Sequence, residues 1–195
     1  MRSPLVFALA LFVIGCRIEK LKSGDATRGN VEPGPGIPAC GIAPESRVSE
    51  DGLGLLRIGV SLDAIRGSCA IVSEQSGSET EPATARVDLG RDTALVELKQ
   101  GRINRITLHH QAYRTSDSLG VGTHVSTLMR LREAVGVTEG NRLYAVSPAY
   151  CGLRFMLAEP APPPPSAQSG RAALRRLSGE TRTRELEIVG CQRRR

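Results

Sequence analysis

Two alternating segments joined by a glycine turn constrain the fold of this chain most. Residues 94–98 and 103–109 each alternate apolar with other side chains, and Gly101 lies between them. A period of two predicts β-strands, and a glycine between two such runs predicts a hairpin. We therefore expect an antiparallel sheet with one buried face. The side chains expected to alternate toward one side of this hairpin are Ala94, Val96, Leu98, Asn104, Ile106 and Leu108.

A helical pattern follows the hairpin. Thr123 is a residue type that can cap a helix, and apolar residues recur at helical spacing from there to Val135. A similar pattern occurs 63 residues earlier, because aligning Gly59 with Gly122 also aligns a capping Ser61 and two apolar positions. This similarity predicts a tandem pair of one supersecondary unit, with chance similarity as the alternative. The aligned apolar pairs are Leu62 with Val125 and Ile65 with Leu128.

Further short segments predict the rest of the sheet. Alternating or apolar runs read as strands, a proline run at 160–165 reads as a loop, and residues 172–177 read as one or two helical turns. We expect an α+β fold made of tandem helix-plus-antiparallel-sheet units, with the helices packed on one face of a curved sheet. The additional predicted strands are 69–72, 85–89, 143–146, 152–158 and 185–189.

The amino terminus predicts export. A short basic start precedes an apolar run at Leu5–Ile14, which has the length of a signal-peptide core and is too short for a permanent bilayer span. The sequence Val13-Ile14-Gly15-Cys16 resembles the lipobox of bacterial lipoproteins. This resemblance implies cleavage before Cys16, acylation of its thiol, and a location in the outer membrane if the source has two membranes, because Arg17 follows where an inner-membrane retention signal has Asp. An ordinary secretory signal is the alternative.

Composition shifts predict the domain boundaries. Glycine and proline are frequent after the signal and apolar periodicity is absent there, which is typical of a flexible tether. The predicted divisions are a lipoprotein signal peptide at 1–15, a tether at 16–52, a folded domain at 53–192 with two related halves at about 54–110 and 111–192, and a basic tail at 193–195.

The charge and aromatic content narrow the classes of partner. The 195 residues carry a net charge of +6, but only 3% are aromatic, and basic residues are not interleaved with aromatic ones. Proteins that bind single-stranded nucleic acid stack bases on aromatic rings, so we expect no nucleic-acid partner. The basic balance is better explained by attraction to an anionic surface or by frequent arginine.

The cysteines predict two disulfide bonds. Leaving aside Cys16, four cysteines remain, which is typical of an exported domain. If strands 151–158 and 184–191 run antiparallel with 158 opposite 184, Cys151 falls opposite Cys191 at a distance that a disulfide can bridge. Cys40 would then pair with Cys69. Free thiols in the core are the alternative.

The central segments resemble a known protein class. The resemblance covers residues 54–191 and is strongest over 103–158, with Tyr113-Arg114-Thr115, the turn at 117–122, Gly152-Leu153-Arg154-Phe155 and a last strand that ends at Cys191. In these features the chain resembles uncharacterised bacterial envelope lipoproteins with the beta-lactamase-inhibitor-protein-like fold, which a small barrel-assembly lipoprotein of the outer membrane shares. The resemblance implies a sheet surface presented to another protein and no catalytic residues.

Motifs for catalysis or metal binding are weak. His109 and His110 are adjacent on a predicted strand, so their side chains point to opposite faces and cannot hold one metal. The segment that contains Gly120 and Gly122 lacks the lysine and the serine or threonine that follow the glycines of a phosphate loop. Arg114 with Asp117 is interpreted as a local ion pair that stabilises the turn. We expect no cofactor and no metal.

Two functions remain as hypotheses from the sequence. The favoured one is a lipid-anchored, non-catalytic binding module of the cell envelope, tethered to the membrane through Cys16 and holding an envelope protein partner. The alternative is an envelope hydrolase that uses His109 or His110 with Asp117. The candidate interaction residues are Tyr113, Arg114, Asp117, Tyr144 and Tyr150.

Overall fold

A computed structural model describes residues 39–157 and 170–191 of this chain. The predicted signal peptide, the lipidation site Cys16, most of the predicted tether, the proline-rich loop at 160–165 and the tail at 193–195 lie outside these residues. Within the two described ranges, no helix is long and apolar enough to cross a bilayer.

The described residues form ten strands and three short α-helices. Eight strands make one sheet in the order β3-β4-β5-β6-β10-β9-β8-β7, and all neighbours in it are antiparallel. Strands β1 and β2 form a separate hairpin. The strands are β1 (Gly52–Leu53), β2 (Leu56–Arg57), β3 (Ile71–Gln75), β4 (Ala83–Asp88), β5 (Thr93–Lys99), β6 (Arg102–Leu108), β7 (Val135–Glu139), β8 (Arg142–Val146), β9 (Leu153–Leu157) and β10 (Thr183–Ile188). The helices are α1 (Leu62–Ile65), α2 (Val125–Leu128) and α3 (Arg171–Arg175).

The prediction of an α+β fold with helices packed on a sheet is wrong. Strands account for 40% of the structure and helices for 13%, so the molecule is mainly an antiparallel sheet. Each helix has only four or five residues, which is little more than one turn. Helices of this length cannot form a layer over eight strands.

The predicted helix from Thr123 to Val135 is the main local error. Helix α2 ends at Leu128, and Val135 begins strand β7. Glu133 has a φ of 53°, which a continuing right-handed helix does not allow. Neither predicted cap is formed, because α1 and α2 have no side-chain cap and the Thr123 hydroxyl accepts a hydrogen bond from the backbone of Gly120 at 2.9 Å.

The same backbone hydrogen bonds precede the first two helices. The N–H of Gly59 donates to the carbonyl of Ile103 at 2.7 Å, and the N–H of Gly122 donates to the carbonyl of Thr183 at 2.7 Å. Both glycines have a φ of 85°, a conformation that favours glycine. Each helix begins three residues after its glycine. In both places a glycine turn therefore fastens a short helix to the first residues of a long strand.

The predicted hairpin at residues 94–109 is confirmed, except that one side chain, that of Asn104, lies on the opposite face of the sheet from the one predicted. Gln100 and Gly101 form a two-residue turn with positive φ at both positions, as this class of hairpin requires. The register shifts after Glu97, so that Ile103 is buried and Asn104 is exposed. Asn104 was predicted to share a side with Ile106, and this was wrong because the bulge reverses the alternation.

Both predicted cysteine pairs are at bonding distance in the structure. Cys40 with Cys69 and Cys151 with Cys191 have Cα atoms 4.2 Å and 5.1 Å apart. The predicted register of β9 and β10 was wrong by one residue, since Phe155 lies opposite Leu186 and the register shifts near the start of β10. Cys191 still reaches its partner because it lies beyond the end of that strand.

Residues 39–52, which were expected in the tether, pack against the rest of the described domain. Cys40 and Val48 are buried, and the N–H of Val48 donates to the carbonyl of Arg114 at 2.8 Å. The Cys40–Cys69 bond and this hydrogen bond hold the segment in place. The packed part of the chain therefore extends toward the amino terminus at least to Ala39.

Candidate interaction surface

The eight-stranded sheet has an apolar face and a polar face. The apolar face belongs to a single core cluster that also contains the buried residues of all three helices, including Leu62, Val125 and Leu174. The opposite face alternates with it along each strand. We call this second side the polar face. By strand register its central members are Glu97, Arg105, Thr107, Glu185, Glu187, Arg154, Met156, Arg142, Tyr144, Val137 and Glu139.

Three side chains form the centre of the polar face. Glu187 lies opposite Arg154 on β9 and opposite Thr107 on β6. The hydroxyl of Tyr144 donates to Glu187 Oε1 at 3.0 Å, and Arg154 Nε lies 3.7 Å from Glu187 Oε2. The Arg154 guanidinium lies over the Tyr144 ring, 3.9 Å from its centroid. We call Tyr144, Arg154 and Glu187 the central triad.

Two members of the central triad are buried although they lie outside the apolar core, and the third, Arg154, has a side chain that is 14% exposed. Glu187 is 1% exposed and Tyr144 is 2% exposed. Burial raises the pKa of the Glu187 carboxyl, and it also raises the pKa of Tyr144, with the nearby Glu187 charge as the second cause. Within the described residues, Glu187 Oε2 and Arg105 Nε are buried without a hydrogen-bond partner. These two atoms are therefore removed from water without a hydrogen bond that replaces it.

Exposed charges surround the central triad. Arg142 lies 3.4 Å from a carboxylate oxygen of Glu185, Arg154 pairs with Glu139, and Arg105 lies 3.4 Å from Glu97. Each of these pairs has a partly buried member, and only Arg142 and Glu139 are more than half exposed, so these two are the charges that a partner can reach. Val137 is 39% exposed and lies opposite Tyr144, which adds an apolar contact to this rim.

Two of the predicted interaction residues are buried. Tyr113 is 5% exposed, and its hydroxyl donates to the carbonyl of Leu89 at 3.3 Å. Burial raises its pKa. Tyr113 therefore packs within the domain, and neither its ring nor that of Tyr144, which is 2% exposed in the central triad, is presented to a partner.

Two other predicted residues meet at one end of the sheet. The hydroxyl of Tyr150 donates to the carboxylate of Asp117, 33 residues away in the chain. Burial and this carboxylate raise the pKa of Tyr150 to about 12. Both residues line a groove of about 510 Å³. The other residues that line it include Arg47, Val48, Glu50 and Leu153.

The predicted Arg114–Asp117 ion pair is not formed. Arg114 donates to the carbonyls of Ser118 at 2.8 Å and Val121 at 3.3 Å, so it closes the turn through backbone oxygens. This arrangement leaves Asp117 to bond with Tyr150.

The residues of the alternative hydrolase hypothesis have other partners. His110 Nδ1 accepts a hydrogen bond from the N–H of Ala112 at 3.1 Å, and His109 Nδ1 lies 3.8 Å from Glu185. Among the described contacts, neither imidazole is bonded to Asp117. The structure therefore does not assemble the predicted pair of histidine and aspartate.

One group of residues has the spacing of metal ligands. Glu50, Cys151 and Cys191 offer atoms within 4.8 Å of one another. The two sulfurs are bonded to each other, and a disulfide has no thiolate to give to a metal. This group therefore does not provide the ligands of a metal site while the disulfide is intact.

Sequence reasoning missed Arg154 and Glu187 as functional candidates. Opposite charges on neighbouring antiparallel strands are a known pairing signal, and both residues lie on predicted strands. The predicted register was one residue away from the observed one and placed Arg154 opposite Ile188. The correct register would have brought the two charges together.

Comparisons with known proteins give the fold a relative but no function. No protein-family model matches the chain, and no curated protein matches it. A crystal structure of the uncharacterised protein YfeY from Escherichia coli is similar, with 15% sequence identity and a TM-score of 0.50, and the match covers 73% of this chain and 99% of that one. At this identity the likeness shows a shared fold alone.

Proposed function

We propose that this protein is a lipid-anchored, non-catalytic binding module of the cell envelope, and that its polar face holds an envelope protein partner. The observation that carries the proposal is the central triad, in which Arg154 is fixed between the Tyr144 ring and the Glu187 carboxylate. Arginine is enriched among the residues that dominate protein interfaces, and a side chain that is already fixed loses little entropy on binding.

The rim of the polar face suits the same role. Arg142 and Glu139 are the exposed members of ion pairs with Glu185 and Arg154, so the charges of a partner can reach them. Val137 provides apolar area beside them. In this arrangement the buried Tyr144 and Glu187 hold Arg154 in place, and the exposed side chains around it supply the contact area for a partner.

Three features support the location in the envelope. The Val13–Cys16 segment resembles a lipobox, an apolar export segment precedes it, and the cysteine pairs are typical of an oxidising compartment. The anchor in this proposal is a lipid on Cys16, in the outer membrane if the source has two membranes. The resemblance of the sequence to envelope lipoproteins with the beta-lactamase-inhibitor-protein-like fold also favours a sheet surface that contacts another protein.

Site-specific photo-crosslinking in the source cells tests the proposal. Val137 on the polar face is replaced by a photo-crosslinking amino acid, and Val72 on the edge strand β3, which is also an exposed valine, is replaced in a matched control. We expect one dominant adduct with an envelope protein from position 137 and not from position 72. Mass spectrometry of the amino-terminal peptide is expected to show lipid on Cys16.

A second variant distinguishes a specific interface from chance proximity. Arg154→Ala removes the guanidinium from the central triad, and we expect it to abolish the adduct formed from position 137. Equal adducts from positions 137 and 72, or an adduct that Arg154→Ala leaves unchanged, would overturn the proposed interface. An unmodified amino terminus at another position would overturn the anchor.

A further inference from the structure

The basic charge of the described domain is concentrated in two segments. Residues 124–133 and 170–182 contain six arginines and two acidic residues, a net charge of +4. Residues 39–123 contain nine basic and eleven acidic residues, a net charge of −2. The domain is therefore strongly asymmetric in charge, which its overall composition does not reveal.

The two basic segments are neighbours in the structure. Arg171 donates to the carbonyl of Met129 at 3.2 Å, the N–H of Val125 donates to the carbonyl of Thr181 at 2.8 Å, and His124 bridges to Arg182. Helices α2 and α3 and the residues that follow them thus form one surface. We call it the basic patch. Its exposed arginines are Arg130, Arg132, Arg171, Arg175, Arg176 and Arg182.

Most arginines of the basic patch are not neutralised by nearby carboxylates. Arg132 pairs with Glu133 at 3.2 Å, but among the described residues none of the other five lies within 4.0 Å of a carboxylate oxygen, whereas the arginines among the central members of the polar face do. Glu180 is the other acidic residue within the two segments, and its described ion-pair partner is His124, at 3.4 Å. The positive field of the patch is therefore available to an external anion.

The basic patch and the polar face are on opposite sides of the sheet. Helix α3 packs on Gly136, where an added Cβ would lie 2.9 Å from the Cβ of Ala173. The next residue, Val137, points to the polar face, because neighbouring residues of a strand face opposite ways. A flat anionic surface that covers the patch would thus leave the polar face free.

We propose that the basic patch docks on a membrane surface that contains anionic lipid headgroups. The occupant is inferred from the charge complementarity, from the absence of the interleaved aromatic residues on which single-stranded nucleic acids stack, and from the exposure of the arginines on short helices and turns. Docking turns the polar face away from the membrane. The inference goes beyond the proposed function and requires neither the lipid on Cys16 nor the protein partner.

Binding of the full chain to lipid vesicles tests the inference. The probes are vesicles of phosphatidylcholine alone and vesicles of phosphatidylcholine with phosphatidylglycerol, and the measured quantity is the ratio of partition coefficients between them. The apolar amino-terminal segment binds to both kinds of vesicle, so its contribution cancels in this ratio. Neutralising Arg175, Arg176 and Arg182 together by glutamine is expected to lower the ratio roughly 100-fold, since each basic side chain near an anionic surface contributes about fivefold.

A matched variant controls for net charge. Arg86→Gln, Arg91→Gln and Lys99→Gln remove the same charge from exposed positions outside the patch, and we expect a much smaller fall in the ratio. Circular dichroism confirms that both triple variants are folded. Raised salt should weaken the preference of the unchanged protein for anionic vesicles. The inference is overturned if the unchanged protein shows no preference for phosphatidylglycerol, or if the two triple variants lower the ratio equally.

Discussion

Tyr144 and Glu187, which are 43 residues apart in the chain, are joined by a hydrogen bond between the tyrosine hydroxyl and a carboxylate oxygen at 3.0 Å. Both are almost completely buried, yet they lie on the side of the sheet away from the apolar core. A buried carboxylate is costly unless it is paired, and here it is paired with a phenol and with the nearby Arg154 guanidinium. This relationship leads to the first prediction.

Replacing Glu187 by glutamine should change how stability depends on pH. Burial raises the pKa of Glu187 in the folded chain above its usual value of 4.5, so the folded state binds this proton more tightly than the unfolded state does. The unchanged protein therefore loses stability as the pH rises from about 4.5 through the raised pKa. Glu187→Gln does not titrate, so its free energy of unfolding relative to the unchanged protein should increase over that range. Urea denaturation from about pH 4 to about pH 8 measures this difference.

Tyr144→Phe provides the control for that experiment. The hydrogen bond from Tyr144 is one of the contacts that lower the pKa of Glu187, so its removal should extend the titration to higher pH. The variant should also lose about 1–3 kcal/mol of stability, because a buried carboxylate loses a donor. A difference between Glu187→Gln and the unchanged protein that does not vary with pH would contradict the assignment.

The contact between Tyr150 and Asp117 predicts a spectroscopic change. Burial and the Asp117 carboxylate raise the pKa of Tyr150 to about 12, and the usual value is 10.0. Asp117→Asn removes the negative charge but not the burial, so the pKa of Tyr150 should fall part of the way toward 10. Phenolate absorbance during an alkaline titration measures it, and Tyr150→Phe identifies the corresponding step. An unchanged titration in Asp117→Asn would show that the two groups are not in contact in solution.

Two glycines with positive φ should differ in their tolerance of alanine. At Gly152, with a φ of 83°, an added Cβ would lie 2.6 Å from the backbone oxygen of Glu50. At Gly140, with a φ of 60°, no atom lies within 4 Å of the added Cβ. Gly140→Ala should cost about 1–2 kcal/mol, the usual penalty of a left-handed conformation. Gly152→Ala should cost at least about 3 kcal/mol in urea denaturation, because backbone must also move. Equal costs would contradict this packing.

Peptide mapping without reductant should recover the two cysteine pairs. We expect one linked peptide that contains Cys40 and Cys69 and another that contains Cys151 and Cys191. Cys151 that reacts with an alkylating agent before reduction would contradict the second pair. Removing the Cys40–Cys69 bond by a double substitution with alanine should cost on the order of 3 kcal/mol, because the unfolded chain regains the entropy of a closed loop.

Local signals in the sequence predicted the elements that depend on neighbouring residues. The turn at Gln100–Gly101 needs two positive φ angles, and the glycine makes this turn easy to recognise. Strands β8, β9 and β10 were predicted within two residues of their observed ends, because short alternating or apolar runs mark them in the sequence. The Cys151–Cys191 pair followed from strand direction, because the tolerance of a disulfide exceeds an error of one residue in register. The Cys40–Cys69 pair then followed by elimination.

Other features depended on contacts between distant residues, and the sequence patterns were misleading there. The helical period that runs past Leu128 is interrupted because Glu133 turns the chain and Gly136 exchanges hydrogen bonds with Gly170. The bulge after Glu97 reverses the side of Asn104. In each case the free energy gained by strand pairing exceeds a weak local preference.

The sequence by itself determined the strand-rich segments and the tight turns, because these depend on periodicity and backbone conformation within a few residues. It also indicated the cysteine pairs, which are 29 and 40 residues apart, because strand direction predicts one pair and elimination leaves the other. Only the tertiary structure decided which charges meet. The register of β9 with β10 joins Arg154 to Glu187, and the packing of α2 beside α3 gathers separate arginines into the basic patch. The physical reason is that one residue of register moves a side chain to the other face of a sheet, and no local pattern encodes that choice.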